Sequence, residues 1–276
     1  MDIIEILKAV LFGVVEGITE WLPISSTGHM ILLDEFVKLN VSAEFMEMFL
    51  VVIQLGAILA VVVLYFGQLW PFSLKEKYFI KKDTFSMWFK ILAACIPAAV
   101  VGILFDEKLN ELFYNYQTVA VALIVFGILF IVIERQNRGM KIKVNSISEI
   151  TYPVALWIGA FQLIAAVFPG TSRSGATILG AIMIGVSRTV AAEFTFFLAV
   201  PVMLGASLLK IVKFGFSFTQ MELVLLLVGM VVAFVVSIAV IKLLLGYIRK
   251  HDFTVFGWYR IILGVVVLAY FWSQGM

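Results

Sequence analysis

The sequence predicts an all-α integral membrane protein, with six transmembrane helices and two re-entrant helical hairpins arranged as an inverted-topology repeat. Three observations lead to this fold class. Of the 276 residues, 63% are hydrophobic and 14% are charged, a composition outside the range of soluble domains. Six stretches stay apolar for about 20 residues, enough to cross a bilayer. A polar segment in the first half also has a counterpart in the second, with Ser26 matching Ser172 and Gly13 matching Gly159.

The apolar stretches divide into six continuous segments and two interrupted regions. The predicted transmembrane helices lie near 46–66, 84–105, 116–134, 190–212, 221–245 and 255–273. The regions 3–40 and 150–187 are broken by Pro23 and Pro169, each beside a cluster of Ser, Thr and Gly. Broken helices persist at membrane depth only where they are buried in protein or line a cavity, so both regions are predicted to be re-entrant hairpins. A first limb that spans the bilayer is the alternative.

Crossing parity and loop charge give the topology. Three crossings separate the starts of the two repeats, about 1–135 and 150–273, and an odd number inverts the second copy within a single membrane domain, 1–276. Basic residues concentrate in loops on one face, which the positive-inside rule makes cytoplasmic. They are Lys75, Lys77, Lys81, Lys82, Arg135, Arg138, Lys141, Lys143, Arg188, Arg249 and Lys250, against Lys108, Lys210 and Lys213 on the other face. The mouth of the first hairpin then faces outward.

Two carboxylates lie within the first hairpin. Glu16 and Glu20 are four residues apart and therefore share one helical face, one turn from each other. Adjacent carboxylates repel unless a cation lies between them or one is protonated. A hard divalent ion, Mg²⁺ or alternatively Ca²⁺, suits such oxygens and completes its shell with water and phosphate oxygens. The alternative is a polar contact between helices or a shared proton.

Hydroxyl groups follow each proline. Ser25, Ser26 and Thr27 come where a second helix would begin, and Ser or Thr at such a position is most often a helix cap. The other tip carries Thr171-Ser172-Arg173-Ser174. Two helix N-termini and a guanidinium would thus converge on an anion site, with these hydroxyls as candidate substrate ligands. Arg173 should pair with Glu16 or Glu20, or with an anionic substrate bridged to them through a metal.

His29 is the natural proton-transfer group near neutral pH, and its spacing puts it within reach of Ser25 and Ser26. Ser26 as nucleophile with His29 as base, and attack by a metal-bound water with His29 protonating the leaving group, both remain open. Two other polar residues have weaker roles. Gln162 replaces Glu16 in the second repeat and is expected to hydrogen-bond within the tip cluster, and Arg260 is expected to snorkel to the membrane interface.

These motifs resemble those of a known family. Glu16-x-x-x-Glu20, Pro23-Ile-Ser-Ser-Thr-Gly-His29 and Pro169-Gly-Thr-Ser-Arg173-Ser-Gly-Ala-Thr177 are similar to the signature elements of the bacitracin-resistance family of undecaprenyl-diphosphate phosphatases. The resemblance covers the whole chain in length, hydropathy and motif order. It implies a membrane hydrolase that uses a divalent metal to convert the C55 polyprenyl diphosphate carrier to its monophosphate, for reuse in cell-wall synthesis.

The resemblance also implies residue roles. Glu16 and Glu20 would be the metal-linked pair, Ser26 and His29 the candidates for nucleophile and proton transfer, and Ser172, Arg173 and Thr177 the diphosphate cradle. The expected partners are the polyprenyl diphosphate and membrane lipids, with a homodimer as an open option. A net charge of +2 without a basic, aromatic-rich arm gives no sign of nucleic-acid binding.

Location and a competing function complete the expectations. The expected location is the bacterial plasma (inner) membrane, with the site opening to the outer face. A secondary transporter or flippase for a phosphorylated lipid or small anion is the competing function, because inverted repeats with broken helices are typical of transporters. A transporter would not need a hydroxyl and a histidine beside a carboxylate pair.

Overall fold

The computed structural model describes residues 2–74 and 79–275. Lys75 and Lys77 of the predicted cytoplasmic charge therefore lie outside the described residues. Within those two ranges the chain forms α-helices, one short 3₁₀ turn and two isolated bridges, and no strand. The helices are α1 Ile3–Thr19, α2 Ser26–Phe36, α3 Ala43–Val52, α4 Gln54–Leu64, α5 Phe66–Leu69, α6 Lys82–Phe113, α7 Tyr116–Gln136, α8 Tyr152–Val167, α9 Arg173–Met183, α10 Arg188–Phe214, α11 Gln220–Ile248 and α12 Thr254–Ser273.

Six segments in the described part of the chain are long and apolar enough to cross a membrane, and each overlaps one predicted from the sequence. Ala43–Leu64 consists of α3 and α4, which meet at Ile53. Each of the other five lies within one helix: α6, α7, α10, α11 or α12. Several helices begin at polar caps beyond the apolar stretch, such as Asn115 for α7 and Ser187 for α10, because a side-chain oxygen there accepts an otherwise unpaired backbone N–H. The chain is a multi-pass helical membrane protein.

The interrupted regions form two pairs of shorter helices, α1 with α2 and α8 with α9. Each first helix ends before its proline, at Thr19 and Val167, because proline cannot continue the helical hydrogen bonding. In the first pair, the start of α1 lies beside the chain that follows α2, since the Asn40 N–H donates to Glu5 Oε2 at 2.8 Å. In the second pair, Trp157 Nε1 donates to the Gly180 carbonyl at 3.0 Å. Each second helix therefore runs back along the first.

Glycines that match between the two halves bring the first helix of each pair close to a long helix. α1 packs on α11, and α8 packs on α6. A Cβ at Gly13 would lie 2.6 Å from the Gly229 carbonyl oxygen, and one at Gly159 would lie 2.4 Å from that of Ala94. No side chain fits at either contact, as is common where membrane helices pack through small residues.

Loops that carry the predicted cytoplasmic charge lie together at one end of the molecule. Arg188 Nε donates to Glu134 Oε1 at 2.9 Å, and the same oxygen accepts the Phe253 N–H at 3.0 Å. Arg138 lies 3.6 Å from Asp252. The ends of α7 and α11 and the start of α10 thus share one face, as the charge pattern predicts.

Candidate functional site

The two tips have the same local geometry. Ser25 and Ser172 have positive φ values of 74° and 69°, a region that non-glycine residues seldom occupy. Each hydroxyl accepts the N–H of the residue three positions later, Gly28 at 3.3 Å and Gly175 at 3.1 Å. Both serines therefore cap α2 and α9, so Ser172 corresponds to Ser25, and the match of Ser26 with Ser172 expected from the sequence is wrong by one residue. Strained backbone of this kind clusters at functional sites.

Glu20 joins the tips. Its Oε1 accepts a hydrogen bond from Arg173 Nη2 at 2.9 Å, and its Oε2 accepts one from the Ser26 hydroxyl at 2.8 Å. Arg173 also donates through Nη1 to the Thr195 carbonyl at 3.0 Å. The Glu20 and Arg173 side chains are only 6% and 13% exposed, so this is a largely desolvated ion pair. Of the two predicted carboxylate partners, Arg173 takes Glu20.

Other predicted hydroxyls support these groups. Ser174 donates to the Glu20 carbonyl at 3.0 Å, which adds a second link between the tips, and lies 3.2 Å from the Ser172 hydroxyl. Thr177 is fully buried and donates to the Arg173 carbonyl at 2.9 Å. Its hydroxyl also contacts that of Thr195. Thr177 therefore links the first turn of α9 to α10.

Glu16 lies one turn before Glu20 and is 0% exposed. Neither of its carboxylate oxygens has a hydrogen-bond partner among the described residues. Gln162, its counterpart in the second half, is also buried, and no described residue hydrogen-bonds its amide oxygen or nitrogen. The predicted hydrogen bond from Gln162 to the tip cluster is thus absent from the described part of the chain. Buried polar atoms are usually paired, so the unpaired oxygens of Glu16 are candidates to bind a ligand.

His29 does not contact the serine hydroxyls. Its Nδ1 lies 2.7 Å from the Ser25 carbonyl oxygen, and its Nε2 lies 2.7 Å from the Tyr259 hydroxyl. The His29 and Tyr259 rings are stacked, with 5.6 Å between centroids and 6° between planes. Tyr259 was missed by the sequence reasoning, although a polar residue inside an apolar span is a usable signal.

The expectation that Arg260 lies at the membrane interface is wrong. Its side chain is 0% exposed, and its guanidinium donates to the carbonyls of Pro23 at 3.2 Å, Gly170 at 3.0 Å and Thr171 at 2.7 Å. Arg260 lies six residues into α12, about 9 Å along the helix axis from its start, and its guanidinium points to the tips. One side chain therefore ties both tips together.

A cavity of about 190 Å³ adjoins the tips. Its lining consists of Thr27, Leu109, Tyr114, Ala165, Ala166, Val167 and Pro169. Thr27 belongs to the first tip, Pro169 to the second, and Tyr114 to the connection between α6 and α7. The cavity thus connects the tips with that end of α6.

These features define a class of protein: a multi-pass helical membrane protein in which two helix pairs, together with α12, bring carboxylates, hydroxyls, a histidine and arginines together. The comparison with known families agrees. Residues 9–266 match the family model described as bacitracin resistance protein BacA, and the chain belongs to that family.

Relatives of high identity cover almost the whole chain. An undecaprenyl-diphosphatase of Desulfitobacterium hafniense is 68% identical over 98% of both chains. Undecaprenyl-diphosphatase 1 of Clostridium acetobutylicum is 66% identical over 98% of this chain and 99% of its own. An undecaprenyl-diphosphatase of Enterococcus faecalis is 60% identical over 97% of this chain and 98% of its own.

Proposed function

We propose that this protein is a membrane phosphatase that hydrolyses undecaprenyl diphosphate to undecaprenyl phosphate, so that the lipid carrier is recycled for cell-wall synthesis. The observation that carries the proposal is the Ser26–Glu20–Arg173 chain of hydrogen bonds, in which Ser26 would serve as nucleophile, Glu20 as proton acceptor and Arg173 as phosphate-binding cation. The names of the relatives support the same reaction. We ascribe the bacitracin resistance in the family's description to this activity.

The test is release of inorganic phosphate by purified protein from undecaprenyl diphosphate, with and without a chelator. Arg249→Gln, on the face opposite the proposed opening, serves as the matched control and should keep full activity. A transporter or flippase would move the lipid between leaflets of a vesicle without releasing phosphate. That outcome would overturn the proposal.

The finer architecture is part of the same proposal: two inverted repeats, about 1–135 and 150–273, each a re-entrant hairpin plus three spans, in one membrane domain. The matched caps Ser25 and Ser172 and the matched close contacts at Gly13 and Gly159 support it. The helix contacts also correspond in pairs: α1 packs on α11 as α8 packs on α6, and α11 on α4 as α6 on α10. Exchanging the two halves leaves this pattern unchanged.

Glu16 and Glu20 would hold a divalent metal, Mg²⁺ or alternatively Ca²⁺. The two unpaired oxygens of Glu16 fit a hard cation, because a buried carboxyl group that stays ionised needs a positive partner and is otherwise protonated. Within the described ranges no group of three or more His, Cys, Asp and Glu side chains could hold a metal. Water and substrate phosphate oxygens would therefore complete the shell, and the bound ion would neutralise charge on the diphosphate.

The diphosphate would lie at the first turns of α2 and α9. Arg173 could donate from its guanidinium edge to a phosphate, and the hydroxyls of Ser172 and Ser174 at the second tip and of Thr27 at the first are candidate ligands. The N-terminal amides of two helices add favourable partial charge for an anion. Ser25 and Thr177 act through the backbone they hold rather than as direct ligands.

Ser26 would attack the terminal phosphorus, with its proton passing to Glu20 Oε2, 2.8 Å away. The bond between that phosphorus and the bridging oxygen breaks, and undecaprenyl phosphate leaves with a proton from His29. Water then hydrolyses the phosphoserine and releases phosphate. Glu20 is favoured over His29 as the base because both His29 nitrogens contact groups other than Ser26.

The site would open to the outer face of the bacterial plasma membrane. The basic loops at the ends of α7 and α11 favour the cytoplasm. Thr27 borders a cavity that also includes Tyr114, in the connection between α6 and α7, at the end opposite those loops. The apolar residues Leu109, Ala165 and Val167 in its lining suit the first isoprene units of the lipid.

A further inference from the structure

We propose that Tyr259 positions His29 and relays its proton: the hydroxyl holds Nε2 of an imidazole whose tautomer the Ser25 carbonyl sets, and it provides the route by which His29 gives up its proton. This inference rests on the proposed phosphatase function for its activity readout. Its geometric basis is independent of that function. Tyr259 comes from α12, an element that belongs to neither helix pair.

The contacts of His29 determine which nitrogen carries the proton. The Ser25 carbonyl, 2.7 Å from Nδ1, can only accept a hydrogen bond, so Nδ1 must be protonated. In the neutral ring Nε2 is then an acceptor, and it receives the Tyr259 hydroxyl at 2.7 Å. The structure thus specifies the Nδ1–H tautomer.

A hydroxyl is well suited to hold a histidine that changes its protonation state. It donates to Nε2 when the imidazole is neutral and accepts from Nε2–H when the imidazole is charged, since it carries one proton and two lone pairs. The Ser25 carbonyl accepts from Nδ1–H in both states. His29 therefore keeps both hydrogen bonds, and its stacking on Tyr259, through a cycle of proton transfer.

The same contacts restrict the path of the proton. Ser25 is 1% exposed and its carbonyl is not basic, so no proton leaves from Nδ1. The Tyr259 hydroxyl, which contacts Nε2, is therefore the remaining partner through which a proton can leave. In the leaving-group step His29 starts as the imidazolium: the Nε2–H proton moves to the phenol oxygen while the phenol proton moves to the departing phosphate oxygen, and the water that later hydrolyses the phosphoserine returns a proton to His29. The imidazole becomes neutral, the phenol is unchanged, and the lipid phosphate leaves protonated.

Tyr259→Phe removes the hydroxyl and keeps the stacked ring. We expect kcat to fall about tenfold, equivalent to about 1.4 kcal/mol of transition-state binding, with KM changed by less than about twofold because the diphosphate contacts remain. Tyr270→Phe on the same helix is the matched control, since its ring contacts Phe36 and Phe271 rather than His29, and it should leave kcat unchanged. An unchanged kcat in Tyr259→Phe would refute the proposed route.

A second measurement reads the protonation of His29 directly and needs no activity assay. The chain has two histidines, so in a His251→Gln background ¹⁵N-histidine NMR reports on His29 alone. At a pH where the imidazole is neutral, we expect protonated Nδ1 and unprotonated Nε2, with the Nε2 resonance moving on addition of Tyr259→Phe. An Nε2–H tautomer, or a resonance that ignores this substitution, would overturn the proposal. If the protein released no phosphate at all, the phosphatase proposal would fail while the NMR result still decided the tautomer.

Discussion

Glu16 and Glu20 differ in their contacts, so their amide variants should differ in stability. Glu20→Gln removes the charge partner of Arg173, whose side chain is only 13% exposed. Breaking a buried ion pair on one side costs about 3 to 5 kcal/mol. At roughly 2 °C or more per kcal/mol for a chain of this size, Tm should fall by at least about 6 °C. Glu16→Gln removes a charge with no partner among the described residues, so Tm should stay or rise.

The assay is thermal unfolding of both variants in detergent, with EDTA and with Mg²⁺, alongside phosphate release. Mg²⁺ should raise the Tm of the parent protein, because a ligand that binds only the folded state stabilises it. It should raise neither variant's Tm, and both variants should lose turnover. Equal stability of the two variants in EDTA would refute the importance of the Glu20–Arg173 pair. Near-normal turnover of Glu16→Gln at saturating Mg²⁺ would refute the metal site.

Three further predictions concern the tips. Arg173→Lys keeps the charge but loses the planar fork that reaches Glu20 and Thr195 together, so phosphate release should fall at least roughly tenfold; unchanged activity would mean that position 173 only balances charge. Arg260→Lys should lower the free energy of unfolding by roughly 1.5 to 3 kcal/mol for each tip carbonyl left unpaired, and so lower Tm. It should also lower kcat in the phosphate-release assay. A parent-like Tm would contradict the proposed link. In a Cys95→Ala background, cysteine at Thr27 should react with an impermeant thiol reagent on intact cells and be protected by substrate, whereas cysteine at the buried Ser174 should react less; labelling only after membrane opening would exclude the outward orientation.

Features set by local chemistry could be read from the sequence. The six spans follow from runs of apolar residues, and the breaks at Pro23 and Pro169 follow from proline's missing N–H. Glu20 was one of the partners expected for Arg173, because a cation at this depth needs a carboxylate or an anionic ligand.

Features set by tertiary packing could not be read from the sequence. The position of Arg260 suggested a helix end, but α12 packs on α7 so closely that a Cβ at Gly257 would lie 2.7 Å from the Gly127 carbonyl oxygen. With α12 packed in this way, the Arg260 side chain reaches the backbone carbonyls of both tips. The partner of His29 was likewise unpredictable, since Tyr259 lies 230 residues away along the chain. Only the three-dimensional arrangement selects it over the nearby serines.

The bonds of Arg260 to both tips bear on how the lipid and the site meet. Alternating access requires the two halves of a molecule to rock apart around a central site. Here that motion would strip a fully buried cation of three carbonyl partners, at a cost of roughly 4 to 9 kcal/mol. An opened state would hold less than about one molecule in a thousand. In the proposed inverted-repeat architecture this link would hold the two tips together, so the headgroup would travel to a stationary site and leave by the way it came.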